Sequence, residues 1–167
     1  IRPGKNAHVS ASMAGSKWDD YVPDKKYFNE LFRISKNQII WGGNYFNLPP
    51  SRCFIVWDKP EMNIHTMADG ELAWTSFDKP LKIVKVSRAI RGMTIHPTQK
   101  PIALYEWLLK NYAKEGDRIL DTHLGSGSSA IAAHRLGFDF VGIELDKDYF
   151  DGASKRLKDE QDQIRLL

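Results

Sequence analysis

The stretch that most constrains the fold runs from Arg118 to Leu145. An apolar triplet, "RIL", leads into the turn "DTHLGSGSS" (Asp121 to Ser129), which opens the helical pattern "SSAIAAHRL" before Gly137. The strand-length run "FDFVGIEL" follows, and "DKDYFDGASKRLKDEQ" has a helical period again. Strand, glycine turn, helix, strand is a βαβ unit, which demands parallel pairing and a right-handed crossover. Pro101 stands at the first turn of a preceding helix, "PIALYEWLLKNYA", whose Ile102, Tyr105, Leu108, Leu109 and Tyr112 share one face.

The turn presents backbone N–H groups at a helix N-terminus, a setting for anionic or hydrogen-bond-accepting ligands. Gly125 and Gly127 let a ligand approach the backbone closely. A nucleoside triphosphate needs a lysine after the glycines, but Ser128 and Ser129 stand there. A dinucleotide is the stronger rival. "GSGSSA" fits its glycine pattern, and Glu144 lies nineteen positions beyond Gly125, where a ribose-binding acid belongs. Asp121 speaks against it, because a carboxylate beside a diphosphate costs several kcal/mol at reduced dielectric. S-adenosylmethionine removes the conflict: it carries a cationic ammonium and sulfonium, two ribose hydroxyls and no phosphate. Asp121 can accept from the ammonium and Glu144 from the hydroxyls. The plainer alternatives, a turn-forming or helix-start acid at Asp121 and a solvated acid at Glu144, are outweighed by the two occurring together in a βαβ unit.

The N-terminal part has another rhythm. Residues 1–20 show no clear period and read as a loop. "PDKKYFNELFRISKN" places Tyr27, Phe28, Leu31, Phe32 and Ile34 on a helical stripe that starts at Pro23 or Asp24. "QIIWGG" and "CFIVWDK" read as buried strands, and "ELAWTSF" with "LKIVKVS" as an antiparallel pair. Only 23 residues follow Glu144, too few for the second half of a doubly wound sheet, so the remaining strands come from the N-terminal side.

The chain of 167 residues suits one domain with a full core, and its net charge of +3 permits a nucleic-acid partner without demanding one. Positive charge is concentrated in "KPLKIVKVSRAIRGMTIHPTQK", which contains Lys82, Lys85, Arg88 and Arg91 and no acid; it is either a solvated hairpin or a phosphate-binding surface. No apolar segment approaches membrane-spanning length, the lone Cys53 lies within the apolar run "CFIVW", and a cytoplasmic location fits. The histidines show no metal-ligand spacing with Cys53 or the acids.

"HPTQKP" (His96 to Pro101), followed by "DTHLGSGSS" and "GIELD", resembles the cofactor half of the amino-group DNA methyltransferases in their permuted β-class order. "KNQIIWGGNYF" through "FIVWDK" is similar to phage and prophage adenine-type enzymes. The resemblance implies an α/β, Rossmann-like fold: a mostly parallel doubly wound sheet with an antiparallel strand. It implies a single domain, with residues 1–95 as the catalytic and target-recognition half and 96–167 as the cofactor half. It also implies restriction-modification or phage DNA methylation, methyl transfer from S-adenosylmethionine to an exocyclic amino group of double-stranded DNA, adenine N6 before cytosine N4, and a homodimer as one possible state. Asp121, Gly125 and Gly127 would bind the methionine part, Ser126 and Ser128 would add hydrogen bonds, and Glu144 would hold the ribose. Thr98 and Lys100 would close the other side of the pocket, while Lys82, Lys85, Arg88 and Arg91 would meet phosphates. The turn departs from the family's Asp-Pro-Phe opening, having Thr122 and His123, for which packing is the simplest role. The family's Asp-Pro-Pro-Tyr-like tetrapeptide is not found; "NLPPS" (Asn47 to Ser51) lacks its aromatic and follows the wrong strand. The tetrapeptide and its central strand are therefore expected upstream of Ile1.

Overall fold

The computed structural model describes residues 22–60, 68–88 and 94–164. The loop expected over residues 1–20 and the arginine at position 91 lie outside them. Helix α1 (Lys25–Ile34) is capped by Asp24, whose carboxylate accepts the Tyr27 N–H at 2.9 Å. Phe28 is buried while Ile34, the last residue of the expected stripe, is half exposed at the helix end. Three strands follow, β1 (Ile39–Trp41), β2 (Phe54–Asp58) and β3 (Gly70–Thr75), then β4 (Lys82–Lys85).

These four strands form one sheet in the order β1-β3-β2-β4. β3 lies antiparallel to both β1 and β2, and β4 pairs in parallel with β2, Val56 opposite Ile83. The antiparallel hairpin expected between β3 and β4 is thus not formed. A strand has two edges, and both edges of β3 are taken, so β4 reaches the free edge of β2 instead. The C-terminal part follows the expected βαβ rhythm: α2 (Ile102–Tyr112), β5 (Arg118–Asp121), α3 (Ser128–Arg135), β6 (Asp139–Gly142) and α4 (Lys147–Ile164). β5 and β6 pair in parallel as a separate two-stranded sheet, Leu120 opposite Val141. The single doubly wound sheet of the expectation is therefore divided in two among the described residues. β1 and β5 each have one unpaired edge there.

Helix α2 joins the halves. Leu104, Leu108 and Tyr112 enter a core with Cys53, Ile55, Trp57, Ala73 and Val84 of the larger sheet. Leu109 packs with Ala132 and Ala133 of α3, beside Ile119 and Phe140 of the smaller sheet. Burial of Ile55 and Trp57, both at 1% exposure or less, follows the period-2 pattern of β2. The other face of the small sheet is open: Leu120, Val141 and Ile143 are partly exposed, and Leu145 is 98% exposed.

Candidate cofactor site at the glycine turn

β5 delivers Asp121 to the end of the small sheet, and Gly125 (φ 52°) and Gly127 (φ 74°) turn the chain into α3 through left-handed conformations that side chains disfavour. A Cβ at Gly127 would also stand 3.0 Å from that of Ala153, so α4 packs directly against the turn. The Asp121 carboxylate is held from both sides. One oxygen accepts the His123 N–H at 3.0 Å and the other the Ser129 hydroxyl at 2.5 Å, eight residues away. Glu144 is anchored in the same way: Gly125 N–H donates to one oxygen at 2.8 Å, and the N–H groups of Leu145 and Asp146 donate to the other at 2.9 and 3.0 Å. Two carboxylates therefore flank one glycine turn. A turn-forming role does not preclude a ligand-binding one: of the roughly four lone pairs on a carboxylate, Asp121 has two and Glu144 one beyond these contacts.

Ser126 and Ser128, expected to add hydrogen bonds to the cofactor, are engaged within the protein. Both are buried, their hydroxyls lie 3.1 Å apart, and Arg156 of α4 donates to the Ser126 carbonyl and approaches the Ser128 hydroxyl at 3.5 Å. They brace the turn against α4. Ser129 is the residue that meets Asp121; its place in the first helical turn gave no signal to single it out.

His96 is a wedge between the turn and α4. Its buried ring lies 4.4 Å from that of Tyr149, and a Cβ on Gly125 would meet it at 3.5 Å. Nδ1 accepts the Thr98 N–H at 3.2 Å, and the Thr98 hydroxyl lies equally near. Burial lowers the imidazole below its ordinary value; Glu144 and Asp146 oppose that and Lys100 reinforces it. Thr98 thus reaches the turn through His96.

Lys100 points to another group. Its ammonium lies 3.0 Å from Glu71 of β3 and 5.3 Å from the Trp41 ring centre. Lys59 meets the other Glu71 oxygen at 2.8 Å and stacks over Trp57. Burial pushes the Glu71 carboxyl up, but the Lys100 charge and hydrogen bonds from Lys59 and Lys100 outweigh it and leave the group below its usual range. Burial first, then the charges of the Asp121 and Glu71 carboxylates, raise the Tyr105 phenol well above normal. Sequence patterning assigned Tyr105 only to a helix face and gave no role to Lys59 or Glu71.

Helix α1 reaches the same end of the small sheet. The Tyr27 hydroxyl lies 2.7 Å from that of Thr122, and its ring packs edge-on to His123 at 5.5 Å. His123 thus has the packing role expected of it. On its other side α1 borders a cavity of about 540 Å³ lined by Phe28, Asn29, Phe32, Tyr45, Asn47 and Pro49 among others, with no carboxylate among the described residues. The Pro49 carbonyl accepts the Trp74 indole N–H at 2.8 Å, which ties "NLPPS" to β3.

The two lysines of β4 do not share one face. Lys82 and Lys85 lie three apart on β4 and so point to opposite sides, and Lys85 is 3.5 Å from Asp58. Arg88 follows the strand, half-buried. Among the described residues, no cluster of His, Cys, Asp or Glu is arranged to hold a metal, and no helix is long and apolar enough to cross a membrane.

Comparison with known proteins agrees with this geometry. The family model for DNA methylases, N6_N4_Mtase, matches residues 16–155. The chain is 48% identical over 67 residues to the type II methyltransferase M2.DpnII of Streptococcus pneumoniae, covering 40% of this chain and 25% of that protein. It is 47% identical over 62 residues to M2.LlaDCHI of Lactococcus lactis subsp. cremoris, covering 37% and 23%. Among solved structures, the M1.HpyAVI–SAM complex is similar with a TM-score of 0.52 and 35% identity, covering 62% of this chain and 60% of that one. The matched segments thus span about a quarter of the curated relatives.

Proposed function

Since the chain belongs to this DNA methylase family, we propose that it acts in transferring a methyl group from S-adenosylmethionine to the exocyclic amino group of a DNA base, adenine N6 in preference to cytosine N4. The observation that carries the cofactor assignment is the pair of anchored carboxylates, Asp121 and Glu144, on either side of the Gly125–Gly127 turn. A pair of anionic acceptors suits an ammonium, a sulfonium and a ribose diol, and repels a diphosphate. The group would be held by Asp121 at its amino-acid end and by Glu144 at the ribose, with His96 and Thr98 along one wall. When bound it supplies an electrophilic methyl group. The chain's own part at this site is orientation, fixed by Ser129, His123 and the backbone amides.

The target amine also needs a hydrogen-bond acceptor as its nitrogen attacks, and the family's acidic tetrapeptide supplies one. Our reading places that tetrapeptide on a strand leading into α1. Two observations support it: α1 starts beside Thr122 at the end of β5, and both β5 and β1 have an unpaired edge. A strand there would pair with both and unite the sheets in one layer, satisfying backbone groups that are costly to leave bare. The half formed by residues 1–95 would then face the DNA; Lys82 and Lys85 leave β4 on opposite sides, so one of the two would stand with the arginines at 88 and 91 near its phosphates. Similarity of "KNQIIWGGNYF" to adenine-type enzymes supports the base preference.

Calorimetry with S-adenosylhomocysteine and with NAD tests the cofactor, and S-adenosylhomocysteine alone is expected to bind. Preference for NAD would overturn the assignment. Transfer of labelled methyl groups to duplex DNA tests the activity; cofactor binding without transfer would mark a non-catalytic relative.

A further inference from the structure

The seam between the glycine turn and α1 holds a chain of polar side chains that cofactor binding does not use. Thr122, directly after Asp121, has its hydroxyl 2.7 Å from that of Tyr27 and 3.1 Å from Nδ1 of His123. The Tyr27 hydroxyl lies 3.5 Å from the same nitrogen, and the two rings meet edge-on at 72°. Both hydroxyls can donate and accept, so they hold the imidazole in either tautomer. None of these contacts uses Nε2, the far nitrogen of the ring. His123 is exposed, whereas Asp121, Thr122 and Tyr27 are half-buried. An imidazole oriented at one nitrogen and open at the other has the form of a general base.

Its place is fixed from two directions. The His123 N–H donates to Asp121 at 3.0 Å, so the ring is two residues from the carboxylate assigned to the amino-acid end of the cofactor. Tyr27 approaches from α1, which belongs to the half assigned to the target base. Donor and acceptor of the methyl group must meet between these halves, and His123 stands at their contact. Where the family's turn carries phenylalanine, this chain has a ring that packs on Tyr27 and can also take up a proton.

Methyl transfer leaves a proton to be disposed of. The amine nitrogen uses its lone pair to form the new N–C bond, and the electrons of the breaking C–S bond stay on sulfur. The nitrogen then carries a positive charge and must lose one hydrogen as a proton, the bonding pair returning to nitrogen. The acceptor of the tetrapeptide orients the amine before attack; removal of the proton is a separate demand. We propose that Nε2 of His123 accepts that proton and passes it to solvent. In the tautomer required, Nδ1–H donates to the Thr122 oxygen and Nε2 keeps its lone pair. The inference rests on the methyl-transfer reading above and adds a catalytic residue to it.

The test separates chemistry from binding. Single-turnover methyl transfer to duplex DNA is measured at saturating cofactor, and S-adenosylhomocysteine affinity by calorimetry. His123→Phe keeps an aromatic ring against Tyr27 and the main-chain N–H that holds Asp121. It is expected to lower the transfer rate about 100-fold with little change in S-adenosylhomocysteine affinity. His123→Ala is expected to lose rate to the same extent and to recover part of it with imidazole in solution, which a packing role does not predict. Tyr27→Phe removes one hydroxyl of the chain and is expected to cost roughly 3- to 10-fold in rate. Transfer by His123→Phe at the wild-type rate, or a loss in His123→Ala that imidazole does not restore, overturns the proposal and leaves the methyl-transfer reading intact. Should His123→Ala fail to fold, His123→Phe decides on rate alone. A wild-type chain that binds S-adenosylhomocysteine and transfers no methyl group overturns both.

Discussion

The glycine turn and the four-stranded sheet are assembled on opposite plans. At the turn, polar groups find partners close in sequence: Asp121 with residues 123 and 129, Glu144 with residues 145 and 146, and Ser126 with Ser128. The reach from Gly125 to Glu144 spans only one strand and one helix. The larger sheet instead depends on distant pairings: β3 is placed between β1 and β2, and its interior is aromatic and aliphatic. One region is specified by hydrogen bonds within a short loop, the other by burial of surfaces that meet only when the chain is folded. The proposed ligand-binding chemistry sits on the first, and most of the apolar core is in the second.

The strongest way to break this division is through α2, which serves both cores. Leu104→Ala, at a fully buried site facing the larger sheet, is expected to cost about 2–5 kcal/mol. Leu109→Ala, facing the smaller cluster at 9% exposure, belongs at the low end of that range. Denaturant unfolding of both variants checks the ranking, and a single transition in each is expected because the helix belongs to both cores. Asp121→Asn addresses the other plan. It keeps an acceptor oxygen but removes the charge, so S-adenosylhomocysteine affinity is expected to fall by roughly 10- to 100-fold with little change in melting temperature.

A smaller effect comes from His96. Its pKa is lowered on folding from an ordinary value of 6.5, chiefly by burial, so the neutral ring is the folded form. Its contribution to stability is complete above that value and is lost as pH falls through 6.5 toward the lower folded value. Melting between pH 7.5 and 5.5 should fall more for the wild type than for His96→Gln. The least is expected of Arg135, which pairs with Glu106 and Glu160 but is 39% exposed. Arg135→Ala is expected to cost about 1 kcal/mol or less, as judged by the shift in urea midpoint.

The same division governs what could be read in the sequence. Local rules located the Asp24 cap, the start of α2 after Pro101, the glycine turn and the βαβ order, because each is set by residues a few positions apart. The positions of Asp121 and Glu144 were legible for that reason. The β3–β4 hairpin failed because alternation reveals a strand but not which neighbour takes each edge. Lys59 and Glu71 were invisible as a pair with Lys100, since their meeting depends on the register of β2 against β3, where Trp57 stands opposite Glu71. The contact of Ser129 with Asp121 was not legible, because only the folded helix decides which hydroxyl faces the strand end.

Glu144 spends one oxygen on the Gly125 amide and the other on the two amides that follow it. On the proposed reading, a sugar arriving at that carboxylate would find an acceptor already aimed, so complex formation there would exchange solvent for hydroxyl groups with no reshaping of the main chain. Association at this end would then be governed by encounter and by departure of water, and selectivity by how well the diol replaces them.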